Sequence, residues 1–295
     1  VTSAHESAHR PYLVIVRAGN SSLHPKWLEG LQPSQRKWDL IVNYFGDDPD
    51  KFCEDDVVRI DSKGPKMPAL HILLQSMQPV LARYRYIWLP DDDLACRGED
   101  INRLFEICER EGFHLAQPAL RPDSYLSHLI VLHNPMFQYR VTSFVELMAP
   151  CFDLDTLLLL LPTFSKNLSG WGIDNVIWPR MLQDRRVAVI DEIQITHTRP
   201  VGAANYVFLG GTGKTAGGEM QELLDQYGAK KAYYRVWSAQ LAGSRRVLRN
   251  RFAIVAYFTV GLCRSAAHVL HWNRQQLFRN YLTFLRQHLT NCGNR

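Results

Sequence analysis

Residues 84–98 read YRYIWLPDDDLACRG: an aromatic and β-branched run that ends in Pro90 and then in three consecutive aspartates, Asp91, Asp92 and Asp93. The run RYIWLP (85–90) has the composition of a strand. Three adjacent carboxylates repel one another, so their place directly after a strand calls for a compensating cation. Two carboxylates one residue apart can reach the same ion, and hard oxygen donors suit Mg²⁺ or Mn²⁺, whose remaining positions are commonly filled by phosphate oxygens and water. The plain alternative is a solvated acidic turn.

Outward from this point the chain alternates short β-type runs with longer segments of helical period. Strands are expected at 12–18 (YLVIVRA), 38–45, 56–61, 85–90, 114–120 and 187–195, and helices at 67–83, 100–112 and 153–161. Strands apolar on both faces, separated by helices, predict an α/β fold with a mixed, mostly parallel sheet flanked by helices. Such sheets bind ligands beyond the carboxyl ends of their strands, where the aspartates would lie.

The 295 residues, 46% hydrophobic and 21% charged, suffice for a sizeable core and exclude a disordered chain. The net charge of +5 is unevenly spread: no acidic residue follows Asp225, whereas arginines recur to Arg295. The expected division is a catalytic body over 1–205 and, over 206–295, a Gly-rich linker with a basic, amphipathic helical extension. Six scattered cysteines without Cys-x-x-Cys pairs disfavour a disulfide scaffold or a zinc ribbon. The start, VTSAHESAHR, lacks the apolar core of a signal peptide, and the longest apolar run near the end, 252–263, is short for a membrane span. A cytoplasmic protein, or one peripheral on the cytoplasmic membrane face, is expected, with the Golgi lumen as the place if the native chain carries an N-terminal anchor.

Two further stretches carry chemistry. In LSGWGIDNVIW (168–178), glycines flank Trp171, a platform of the kind sugars stack on, and Asp174 opens a short helix; it is either a helix cap or a general base. In VAVIDEIQITHTRP (187–200), a strand delivers His197 to the same sheet edge, as a structural histidine or a metal ligand. Arg17 ends the first strand and Lys63 follows the third, so both are either solvated charges or contacts to base, ribose or phosphate. Glu146, a carboxylate in the apolar segment FVELMAP, needs a partner, either an acceptor or sugar hydroxyl or a structural hydrogen-bond donor. GGTGKT (210–215) looks like a phosphate loop, but Phe208 stands where that pattern needs glycine. It reads instead as a linker that could close over a donor with Lys214 near the diphosphate.

Together these stretches resemble the GT-A glycosyltransferases, a nucleotide-sugar-dependent superfamily with a Rossmann-like sheet. Within it, YIWLPDDDL (86–94), AQPALRPD (116–123), FVELMAPCF (144–152), GWGIDNVIW (170–178) and VIDEIQITH (189–197) resemble, in order and spacing, the uncharacterised domain-of-unknown-function 707 family. The resemblance covers roughly residues 12–205. It implies an Asp-x-Asp pair, Asp91 and Asp93, holding Mn²⁺ or Mg²⁺ against a donor diphosphate, with Asp92 beside it and His197 as a further ligand. It implies Asp174 as the base of an inverting transfer to a glycan or glycolipid acceptor. Many related enzymes carry Glu-Asp where this chain has Ile173-Asp174, which leaves one carboxylate there.

The alternatives are a non-catalytic carbohydrate- or polyanion-binding protein of the same fold, and a metal-dependent phosphohydrolase or nucleotidyltransferase using the same aspartates. The basic extension could touch a membrane surface peripherally, pack on the body, or pair with a second copy in a homo-oligomer; nucleic acid is the least favoured partner.

Overall fold

The computed structural model describes residues 10–54, 56–201, 209, 212–229 and 234–290. Its strands are β1 (Tyr12–Ala18), β2 (Trp38–Tyr44), β3 (Val58–Asp61), β4 (Tyr86–Trp88), β5 (Leu94–Ala95), β6 (Leu115–Leu120), β7 (Phe137–Thr142), β8 (Cys151–Asp153), β9 (Val187–His197), β10 (Val236–Leu241) and β11 (Val247–Leu248). They form one mixed sheet in the order β11-β10-β7-β9-β6-β8-β4-β1-β2-β3, with β5 pairing β9 off that path. The two longest ladders, β1–β2 and β6–β9, are parallel. β8 runs antiparallel between β4 and β6.

The centre of the sheet is buried on both faces because its strands are apolar at most positions, with few polar side chains such as Arg17 and Gln117 among them. All seven residues of β1 are buried. Their side chains alternate between two cores. Tyr12, Val14 and Val16 pack with Trp27, Trp88, Leu104 and Phe105, while Leu13 and Ile15 pack with Leu70, Leu74, Phe152 and Trp178. Helix Gly98–Glu111 covers the first face with Ile101, Leu104, Phe105 and Cys108, and ends at Gly112 in the left-handed conformation (φ 62°). Helix Lys66–Ser76 covers the second.

The expected helix over 67–83 divides at Met77, because Pro79 cannot supply the amide a continuous helix needs and instead starts a short second turn, Gln78–Leu81. Helix Leu154–Leu160 is capped by Asp153, which accepts from the Thr156 amide at 2.7 Å.

β9 contains an offset. Pro118 pairs with Ile190, but the next residue, Ala119, pairs with Gln194, so Asp191, Glu192 and Ile193 bulge out. The bulge is pinned by a fully buried ion pair in which the Arg140 guanidinium forks onto both oxygens of Asp191 at 2.7 and 2.8 Å and donates to the Ile130 and Leu132 carbonyls. Beyond it β9 continues to His197, which pairs with Leu94 of β5.

The C-terminal segment differs from a purely helical extension. It carries the helices Arg251–Ser265 and Arg274–Leu289, yet it also contributes β10, which pairs antiparallel with β7 and extends the sheet of the body. The physical reason is an unfilled edge: β7 has a free side, and Val236 and Ala239 bury against it. Phe258 and Phe284 stack at 4.0 Å between the two helices. The expected boundary between 205 and 206 lies outside the described residues.

Candidate functional site

The carboxyl ends of β1, β4 and β9 converge on a cavity of about 830 Å³. Lining it are Arg17, Asp91, Asp92, Asp93, Glu146, Trp171, Asp174 and His197, brought together from five separate stretches of sequence. Lys63 and Lys214 do not line it. Lys63 is spent on the Phe45 and Gly46 carbonyls and Asp47, and Lys214 pairs with Glu222 at 2.9 Å on the surface.

Each aspartate of the triplet has a different setting. Asp91 bridges to β1 through Arg17 and holds an ion pair with the Lys66 ammonium, which also donates to the Leu147 carbonyl at 2.8 Å. Asp92 ties two loops together: it accepts from the Gly19 amide at 2.8 Å and from Arg199 at 3.2 Å. Asp93 is 8% exposed; its Oδ2 lies 3.3 Å from His197 Nε2, while its Oδ1 is buried with no hydrogen-bond partner. The imidazole is oriented by its other nitrogen, Nδ1, 2.9 Å from the Tyr125 carbonyl. Burial opposes charge on His197, but the hydrogen bond and attraction to Asp93 outweigh it and raise its pKa to about 9.

These residues fit a divalent cation in chemistry. Asp93 keeps one buried oxygen, Oδ1, without a partner, while its Oδ2 meets an imidazole whose far nitrogen is anchored on a backbone carbonyl, as the ring of a metal-binding histidine commonly is. Among the described residues no three His, Cys, Asp or Glu side chains stand grouped around a common point.

Across the cavity, the Trp171 loop delivers Asp174. Gly170 and Gly172 adopt positive φ (81° and 92°), and the chain then forms a π-helical turn, Ile173–Ile177, closed by the Ile177 amide donating to the Gly172 carbonyl at 3.2 Å. Wide turns of this kind recur at functional sites. Asp174 is 7% exposed and accepts from the Leu147 amide at 3.0 Å. Burial raises its pKa to about 7, against the backbone donors around it. Burial, with the Asp174 charge adding, raises Glu146 to about 8, and one Glu146 oxygen, Oε2, is buried without a partner. Trp171 itself is 41% exposed at the cavity wall.

Arg17 lines the cavity with its guanidinium already engaged: Asn43 at 2.5 Å, Ser62 Oγ at 2.8 Å and the Gly64 carbonyl at 2.6 Å. It braces the ends of β1 and β2. Sequence reasoning chose Lys63 and missed Lys66, three residues on, which reaches the triplet from the first turn of helix Lys66–Ser76. It also missed Arg199, Asn175 and Tyr234, all on the cavity wall. A further omission is Glu219, 3% exposed in helix Ala216–Gln226, whose carboxylate accepts from the Leu168 and Ser169 amides at 3.1 and 2.8 Å and so holds the start of the Trp171 loop.

No family model matches the chain, and no curated protein matches it. Among solved structures, a "putative nucleotide-diphospho-sugar transferase" from Desulfovibrio desulfuricans G20 is similar at 12% identity and a TM-score of 0.39, over 74% of this chain and 98% of that one. The protein A197 from STIV is similar at 11% identity and a TM-score of 0.37, over 64% of this chain and 85% of that one. Likeness at that level carries no argument about function.

Proposed function

We propose that this protein is a metal-assisted, inverting glycosyltransferase that moves a sugar from a nucleoside-diphosphate sugar to a hydroxyl of a glycan or glycolipid. The observation that supports this reading is the pairing, in one cavity, of a buried carboxyl poised near neutrality, Asp174, with the buried and unpartnered oxygen of Asp93 beside His197. A base that works at neutral pH needs a pKa near 7, which Asp174 has and an exposed aspartate does not.

In this reading Asp91, Asp93 and His197 would hold Mn²⁺ or Mg²⁺, which supplies Lewis-acid stabilisation of the leaving diphosphate. The chain's own residues do the rest. Asp174 accepts the proton of the acceptor hydroxyl; the acceptor oxygen bonds to the anomeric carbon from one side while the carbon–oxygen bond to the diphosphate breaks on the other. The diphosphate departs with that electron pair. Trp171 offers its exposed ring face to a sugar, and Glu146, protonated below about pH 8, can donate a hydrogen bond to a ring hydroxyl. Lys66, three hydrogen bonds deep beside Asp91, contributes a fixed positive charge next to the diphosphate position.

Calorimetry with UDP, GDP, CDP and dTDP, with and without Mn²⁺, tests it. One nucleotide is expected to bind in a metal-dependent way, with binding lost in Asp93→Ala and retained in Asp174→Asn, which loses turnover of the matching sugar conjugate. Release of inorganic phosphate without an acceptor would instead make the site a phosphohydrolase. No nucleotide binding by folded protein would sink the donor-site reading.

A further inference from the structure

The helix Arg251–Ser265 is apolar on both sides. Its inner face, Ile254, Phe258 and Leu262, is buried against the body, and Gly261 lies so close to Asn134 that a Cβ there would stand 1.9 Å from its side-chain oxygen. Asn134 fixes the helix further by donating to the Phe258 carbonyl at 2.9 Å. The rotation of the helix is therefore set, and the face left to solvent is Phe252, Ala256, Val260 and Cys263, at spacings of four, four and three that make one stripe. Phe252 is 58% exposed and Val260 45%, and Leu270, just beyond, is 67% exposed. A surface helix ordinarily presents polar side chains there.

The surroundings say what covers the stripe. Arg249 precedes the helix, Arg264 is in its last turn, and Arg245 and Arg246 lie just before; all four are exposed, and none has an acidic partner among the described residues. No acidic residue follows Asp225. A second copy of this face would bring like charges together, and a polynucleotide would use the arginines and leave the stripe in water. An anionic lipid surface satisfies both, since arginines meet headgroups while Phe252 and Val260 enter the acyl boundary. The helix has 15 residues, about 22 Å in length, and no helix among the described residues is long and apolar enough to cross a membrane. It is suited to lie in the interface.

We infer that the outer face of helix Arg251–Ser265, with the arginines at its two ends, docks this protein peripherally on an anionic membrane. The inference stands on this surface alone and is independent of the reaction at the cavity. Co-sedimentation of the full chain with phosphatidylcholine vesicles, and with vesicles of phosphatidylcholine and phosphatidylglycerol, tests it. Binding is expected only to the second kind. Arg249→Gln with Arg264→Gln should weaken partitioning about thirtyfold, at ~1 kcal/mol for each arginine near the surface. Val260→Asp, at an exposed position, should weaken it at least about tenfold, and Phe252→Ser repeats that test should Val260→Asp unfold. Three results would overturn the inference: no sedimentation with either vesicle, equal sedimentation with both, or binding that a polynucleotide competes away and that Val260→Asp leaves unchanged.

Discussion

Asp174→Asn replaces a buried carboxyl by an amide of nearly the same shape and gives a stability change whose sign follows from burial. The carboxyl is raised from its ordinary 3.8 to about 7, so the folded state binds its proton more tightly than the unfolded chain does. Stability from this group is then fully present below about pH 4 and is lost as pH rises through about 7. Each pH step in that window costs ~1.4 kcal/mol, so the loss by pH 8 is about 4 kcal/mol. Asparagine carries no charge, and its oxygen can still accept from the Leu147 amide. Its two new N–H bonds need partners in a buried site, a penalty of about 1–2 kcal/mol. The variant should therefore be more stable than wild type at pH 8 by about 2–3 kcal/mol, and equal or less stable at pH 4. Urea unfolding at both pH values measures it. Glu146, raised to about 8 partly by the Asp174 charge, leaves a residual slope in the variant. A variant whose stability falls with pH as steeply as that of wild type would refute the reasoning. The same substitution removes the proposed base, so stability is gained where activity is lost.

Three other outcomes are expected. Turnover by the wild type should rise with pH and level off above about 7, as Asp174 ionises, which a pH–rate profile would show. Gly172→Ala forces a side chain onto a backbone with φ 92° and sets its Cβ 2.9 Å from Leu223, so it should lower stability by about 1–3 kcal/mol and speed amide exchange around Trp171. Arg140→Met leaves Asp191 buried and unpaired and should cost about 3–5 kcal/mol, read from the denaturation midpoint; a neutral result would mean that Asp191 takes up a proton without loss.

What was legible in the sequence was what short-range pattern controls. β1, β2, β4, β6 and β9 announce themselves as apolar runs because both their faces are buried, and the glycines around Trp171 mark a turn that only they adopt readily. β7 was not legible, since Arg140 in its middle looks like a surface charge until Asp191, 51 residues away, is folded against it. β10 was hidden for a different reason: VWSAQL lies in a segment whose basic charge suggested helices, and only the empty edge of β7 makes it a strand. Within the cavity, the carboxylates and His197 could be named because they end strands. Lys66 and Glu219 could not, because each acts by pointing from a helix at groups that are distant in sequence.

The offset in β9 separates two jobs that a continuous strand would tie together. One step along β6 is matched by four along β9 at that point, so the first part of β9 keeps register with the body while the last part is placed on its own terms against β5. Because the excess is odd, it also reverses which side of the sheet each later residue faces. Removing Asp191, Glu192 and Ile193 would strip the buried Arg140 guanidinium of its carboxylate and so unsettle the strand that carries His197 to Asp93. The spacing of the site is in this sense a length set by three residues and locked by one buried guanidinium, which ties the placing of His197 to an ion pair inside the core.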